Sequence, residues 1–134
     1  TVVNNINPGE KIKVIEGFFY LTFIENKGAA WSILQNGRYF LIILGIIISC
    51  VIIYLLTRVH DRLAGISLSF ILGGGIGNLI DRIFRGSVVD FLDFYIGSYN
   101  YPTFNAADCF IVVGTILLAY YILFVYKEKD KIRF

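Results

Sequence analysis

The sequence predicts a mainly helical, polytopic membrane protein with a small strand-rich segment on one side of the bilayer. Three observations carry this. Of the 134 residues, 57% are hydrophobic and 16% charged, and the mean hydropathy is +0.70, whereas soluble domains are about half apolar and about a quarter charged. Charge is absent from nineteen residues between Arg38 and Arg58, eighteen between Arg62 and Asp81, and eighteen between Asp108 and Lys127. At about 1.5 Å rise per residue each stretch covers roughly 27–29 Å, close to the hydrocarbon thickness of a bilayer. A chain this short could not bury three such helices on all sides in a soluble core. Finally, Ile12 to Ile24 carries charge, is too short to span, and is rich in aromatic and β-branched residues, which suits strands at the membrane surface with rings at headgroup level.

The elements follow in chain order. Residues 1–38 form a segment outside the bilayer, with strands in its middle and a turn at Asn26-Lys27-Gly28. Spans are expected over 39–57, 63–80 and 108–126, each able to satisfy its own backbone as a bilayer demands. Residues 58–62 are a short turn, 81–107 an interfacial segment and 127–134 a tail. The turn and tail together hold Arg58, Arg62, Lys127, Lys129, Lys131 and Arg133 in thirteen residues. The other side holds six Lys and Arg in a far longer stretch. The density of basic residues at span ends puts the turn and tail in the cytoplasm and 1–38 and 81–107 outside.

Several function classes are disfavoured. A net charge of +2 is too weak for nucleic acid. Two Cys cannot build a disulfide framework, and Cys50 and Cys109, set in apolar runs, read as small buried hydrophobes. The one His, His60, lies in the cytoplasmic turn, away from the polar clusters, which argues against Ser/His/Asp or Cys/His catalysis. His/Cys ligands are too few for a metal site, and there is no phosphate loop. No charge-free stretch has the length and tail of a secretory signal peptide.

The polar residues at outward span ends carry the chemistry, because they are costly there and often functional. Gly74, Asn78, Asp81 and Arg82 fall on one face of the second span. Glycine there lets another backbone come close, and Asp81 with Arg82 could cap the face as an ion pair. Asp90 and Asp93 stand among apolar residues in Gly86–Phe94. Asn105 suits the N-cap of the third span, with Asp108 in its first turn, where the helix dipole favours a carboxylate. Two acids from adjacent outward span ends can share one proton, the ionised member activating water and the protonated member assisting a scissile carbonyl. Asp108 is one such acid, and spacing alone leaves Asp81 and Asp90 both open as the other.

Four motifs then occur in order: Asn26-Lys27-Gly28-Ala29-Ala30-Trp31-Ser32, Gly77-Asn78-Leu79-Ile80-Asp81-Arg82, Val88-Val89-Asp90-Phe91 and Phe104-Asn105-Ala106-Ala107-Asp108. Together they resemble the motif series of bacterial lipoprotein signal peptidase, signal peptidase II, over residues 10 to 126. The resemblance implies an aspartic endopeptidase of the bacterial cytoplasmic membrane. It would cleave diacylglyceryl-modified prolipoproteins on the amino side of the lipidated Cys, at the extracytoplasmic surface, and would be inhibited by globomycin. The catalytic pair maps to Asp90 and Asp108, and Asp81 to a structural acid. Asn26, Gly28, Ala30, Gly74, Asn78, Arg82, Asn105 and Ala107 match positions around the active site. Residues 12–36 resemble a β-cradle that clasps substrate together with an interfacial helix near 91–100. The resemblance implies no metal or cofactor, no nucleic acid, and a monomer whose partners are the prolipoprotein and membrane lipid. It also implies four spans in the intact family, the first bearing an Asp and a Lys. The chain begins Thr-Val-Val without Met, as expected of a processed chain or one lacking that front end.

Two other readings fit some of these residues. A small membrane subunit packing through its Gly-rich span leaves the ordered acids as coincidence. A transporter or proton-path component would place acids at mid-depth in a span, and none is there.

Overall fold

Hydrophobic patterning along the chain produces three long helices and one four-stranded antiparallel sheet. The computed structural model describes residues 2–28 and 37–126. After a single helical turn, α1 (Val2–Asn5), come β1 (Lys11–Ile15), β2 (Phe19–Asn26), α2 (Arg38–Arg58), α3 (Arg62–Arg85), β3 (Val88–Ile96), β4 (Tyr99–Phe104) and α4 (Ala106–Tyr120), which continues as a π-helical turn over Tyr121–Tyr126. Ala30, the rest of its motif through Ser32, and the tail over 127–134 lie outside the described residues.

Among the described residues, three helices are long and apolar enough to cross a membrane: Arg38–Arg58, Arg62–Arg85 and Ala106–Tyr126. Their outer faces are apolar and exposed, as at Ile43, Ile47, Val51 and Tyr54 on α2 and Phe110, Val112 and Ile116 on α4. In a bilayer such faces meet lipid, so apolar side chains need no protein cover. Cys50 and Cys109 are exposed for the same reason, which corrects the expectation that they are buried. The protein is a multi-pass membrane protein. Helix α3 starts at an Asp61 cap, whose Oδ1 accepts from the Leu63 amide at 2.9 Å. It runs five residues beyond the expected end at 80, because Asp81 to Arg85 contains no breaker. Gly86 stops it with φ +78° and donates its N–H to the Arg82 carbonyl.

The chain divides into two compact units, one of residues 1–42 and 80–105, the other of 43–79 and 106–134. The first holds the sheet, in the order β1-β2-β3-β4. The expected interfacial helix near 91–100 is instead the β3–β4 hairpin. Its residues, Val88, Val89, Phe91, Tyr95, Ile96, Tyr99 and Tyr101, favour strand, and Gly97 turns it with φ +62°. Phe94 stacks on Phe19 (centroids 4.5 Å apart) and on Phe104 (5.7 Å), joining β2, β3 and β4 on one face.

In the second unit α3 and α4 meet at glycine. A Cβ on Gly74 would lie 2.3 Å from the Ala107 carbonyl oxygen, and one on Gly114 would lie 2.7 Å from that of Ser67. Only a hydrogen fits at either position, so the two backbones come into direct contact.

Candidate active site

Asp90 lies on β3 and is 3% exposed. Its Oδ2 accepts from the Asn26 carboxamide at 3.2 Å, and its Oδ1 from that of Asn105 at 3.1 Å. Strand register explains why Asn26 can reach it. Leu21 pairs with Leu92, but Ile24 pairs with Asp90, so β2 gains one residue between them. Side chains alternate faces along a strand, so one extra residue turns every later side chain over. Asn26, paired with Val88, thereby becomes a diagonal neighbour of Asp90 on the same face. β4 carries a comparable shift between its pairings with Leu92 and Phe94, just before Asn105.

Asn26 is itself oriented. Its Oδ1 accepts from the Gly28 amide at 2.9 Å, a local turn that directs the Nδ2 group to Asp90. The Gly28 carbonyl accepts from Arg82 Nη2 at 3.0 Å. Arg38 donates from Nε to the Arg82 carbonyl, which also accepts from the Gly86 amide, and from Nη2 to the Ile83 carbonyl, both Arg38 bonds at 3.0 Å, covering carbonyls at the end of α3. A hydrogen-bonded line thus runs from Arg82 through Gly28 and Asn26 to Asp90. Sequence reasoning missed Arg38 as part of this support, since nothing in its local pattern points to the end of a helix over forty residues away.

Asp108 lies in the first turn of α4, in the other unit. Its Oδ1 accepts from Asn78 Nδ2 at 2.9 Å. Asn78 is 8% exposed and stands one turn after Gly74 on α3. Gly74 faces Ala107, and a Cβ on Gly77 would meet Ala107 Cβ at 3.4 Å. The close helix contact therefore brings Asn78 within reach of the acid. Each acid has a carboxamide donor from a different element, and such a donor orients the carboxylate.

Of the residues expected at the site, Asn26, Gly28, Arg82 and Asn105 gather at Asp90, and Gly74, Asn78 and Ala107 at Asp108. Asp81 joins neither group. The expected Asp81–Arg82 pair is replaced: Asp81 sits 4.0 Å from Arg85 and is partly exposed, while Arg82 turns to Gly28. On a helix, i,i+4 side chains face each other and adjacent ones do not.

Three apolar spans, a small sheet and two acids held by carboxamides, Asp90 buried and Asp108 half-buried, define a multi-pass membrane protein with enzyme-like polar clusters. The profile of the family Signal peptidase (SPase) II matches residues 1–124. A Lipoprotein signal peptidase of Bacillus pumilus is 46% identical over 119 residues, covering 87% of this chain and 77% of that one. One from Listeria monocytogenes is 46% identical over 132 residues, covering 97% and 85%. Two solved structures, each of a bacterial membrane enzyme, superpose with TM-scores of 0.84 and 0.81 at 33% and 34% identity; both cover 97% of this chain, and 79% and 82% of their own. The chain belongs to the signal peptidase II family.

Proposed function

We propose that the protein removes the signal peptide from diacylglyceryl-modified prolipoproteins, cutting on the amino side of the lipidated Cys, with Asp90 and Asp108 as an aspartic dyad. The observation that carries this reading is the pair of polar clusters, buried at Asp90 and half-buried at Asp108, each holding one acid of the family's Val-Val-Asp-Phe and Phe-Asn-Ala-Ala-Asp motifs by a carboxamide.

In an aspartic dyad the two carboxylates share one proton, and the members act in turn as base and acid. The ionised member takes a proton from water as it attacks the scissile carbonyl. The protonated member donates to the carbonyl oxygen, giving a tetrahedral diol. Collapse returns a proton to the leaving amine, so the dyad ends as it began. Asn26, Asn105 and Asn78 hold the acids in place, and Arg82 supports Asn26. The site lies at the extracytoplasmic surface of the bacterial cytoplasmic membrane, and the enzyme acts as a monomer. Substrate arrives by lateral diffusion with its acyl tails in the bilayer, each buried methylene contributing roughly 0.8 kcal/mol to anchoring.

The test is incubation of the intact enzyme with a lipidated pre-lipoprotein, scored by loss of the signal peptide and by inhibition with globomycin. Asp90→Asn and Asp108→Asn should each abolish cleavage in a protein that melts normally. Normal processing by either variant overturns the dyad.

A further inference from the structure

Asp93 is a second acid on β3, and the dyad does not use it. It is fully buried. It lies three residues from Asp90 on a strand whose side chains alternate, so the two carboxylates leave opposite faces of the sheet. Lys11 Nζ lies 2.9 Å from its Oδ2. Among the described residues, Oδ2 accepts no hydrogen bond from any other group. Lys11 comes from β1, two strands away, so its side chain crosses β2, a span of about 10 Å between strand axes. On the way it donates to the Tyr95 hydroxyl at 2.5 Å. From the other side the Asn100 carboxamide of β4, in the orientation its neighbours require, donates to Asp93 Oδ1 at 2.8 Å. One buried carboxylate thus gathers β1 and β4 onto β3.

The main-chain ladder explains why β3 needs this. Its pairing with β2 shifts between Leu21 and Ile24, opposite Leu92 to Asp90. Its pairing with β4 shifts opposite Leu92 to Phe94. Both neighbours therefore depart from regular pairing beside the five residues that contain Asp90 and Asp93. A bulge interrupts ladder bonds and lets a strand bend and twist. The same irregularities that turn Asn26 and Asn105 toward Asp90 leave the strand beneath it weakly held by its backbone. A buried ion pair with an added hydrogen bond supplies a directional hold where the ladder does not.

We propose that Asp93, neutralised by Lys11, is a positioning residue for Asp90: it sets the place of β3, and so of the reacting carboxylate, from the face of the sheet away from the chemistry. This rests on the reading of Asp90 as a member of the dyad. A misplacement near 1 Å at a reacting group costs on the order of a hundredfold in rate.

The experiment measures kcat and KM of the intact enzyme on a lipidated pre-lipoprotein, well below the melting temperature, for Asp93→Asn, Lys11→Gln, Lys11→Arg and Asp90→Asn. Asp93→Asn and Lys11→Gln should lower kcat by about ten- to a hundredfold with KM within about twofold. Lys11→Arg, which keeps a cation able to reach Asp93, should restore most of kcat. A merely structural contact would lower the melting temperature and leave kcat of the folded enzyme alone. Lys11 is half-exposed, so Lys11→Gln folds even where Asp93→Asn does not. Wild-type kcat in folded Lys11→Gln, or failure of Lys11→Arg to restore a lost kcat, overturns the proposal. Asp90→Asn separates the two layers: an active Asp90→Asn enzyme removes the dyad reading itself, whereas an inactive one beside a fully active Lys11→Gln removes only the role of Asp93.

Discussion

Gly74→Ala adds one methyl group at the closest approach of α3 and α4. The new Cβ would stand 2.3 Å from the Ala107 carbonyl oxygen, 2.7 Å from Ile111 Cγ1 and 3.1 Å from the Ile111 nitrogen. Two of these atoms are main chain and cannot rotate aside. Ordinary contact begins near 3.4 Å, so α4 must withdraw by about 1 Å, and on a close-packed face that forfeits a quarter to a half of the contact attraction. Overpacking of this kind costs about 1–3 kcal/mol. One turn along, the 2.9 Å bond from Asn78 to Asp108 opens beyond hydrogen-bonding range, and a bond to a charged acceptor is worth about 1.5–3 kcal/mol. The two effects overlap, giving a loss of about 2–4 kcal/mol, or roughly 10 °C in melting temperature for a chain of this size. Displacement of Asp108 should also cut cleavage by on the order of a hundredfold. Thermal unfolding in detergent and cleavage of a lipidated substrate measure both. Gly73→Ala and Gly75→Ala are the controls, since a Cβ at either meets nothing within 4 Å; they should match wild type. If Gly74→Ala melts and cleaves like those two, helix contact at Gly74 does not hold Asp108.

Gly114→Ala should cost similar stability, its Cβ standing 2.7 Å from the Ser67 carbonyl oxygen and 2.8 Å from Ile71 Cγ1, but should spare more activity because it lies nearly two turns from Asp108; equal activity loss in both glycine variants would refute that. Arg82→Ala removes the donor to the Gly28 carbonyl and should lower stability by about 1–3 kcal/mol together with cleavage; an unchanged melting temperature would argue against the line from Arg82 to Asn26. Gly86→Ala forces φ +78° on a residue with a Cβ and presses it 3.3 Å from the Arg38 guanidinium, so a loss of about 1–2 kcal/mol is expected on thermal unfolding. The Tyr95 hydroxyl, and then Asp93, raise the Lys11 ammonium above its ordinary 10.5. A raised cation stabilises the fold fully below the unfolded value and loses that contribution as pH rises through the folded one. The stability gap between wild type and Lys11→Gln should therefore hold through neutral pH and close above about 10.5; a gap that persists there would show the lysine acting through packing alone.

The spans were legible because a bilayer makes each helix satisfy its own backbone, so length and charge boundaries suffice to find Arg38–Arg58, Arg62–Arg85 and Ala106–Tyr126. The acids and carboxamides were legible as residue types at span ends, and the family resemblance selected among them. What could not be read is what depends on pairing between distant strands. A charge-bearing apolar run such as 88–96 has no period that separates an interfacial helix from a strand; its hairpin with Tyr99–Phe104 and its pairing with β2 decide the matter. Lys11 with Asp93, and Arg38 with the end of α3, join residues 82 and 44 positions or more apart, and neither shows a local signal.

The relation of Asn26 to Asp90 shows how far this goes. In an unbroken ladder the alternation from Leu21 would send Asn26 to the face opposite Asp90. The single residue gained between Leu21 and Ile24 reverses that, and the motif's asparagine meets the motif's acid only for this reason. Its cost is a ladder with gaps on both sides of β3, and the buried carboxylate of Asp93 lies beside those gaps. Motif and bulge are therefore one device: one residue inserted between Ile24 and Asn26 would keep the pair Ile24–Asp90 but move Asn26 one place along β3, to the face away from Asp90. Such an insertion should depress cleavage, whereas deleting one residue between Leu21 and Ile24 keeps Asn26 opposite Val88 and should spare more of it; the reverse order of activities would refute this account of the register.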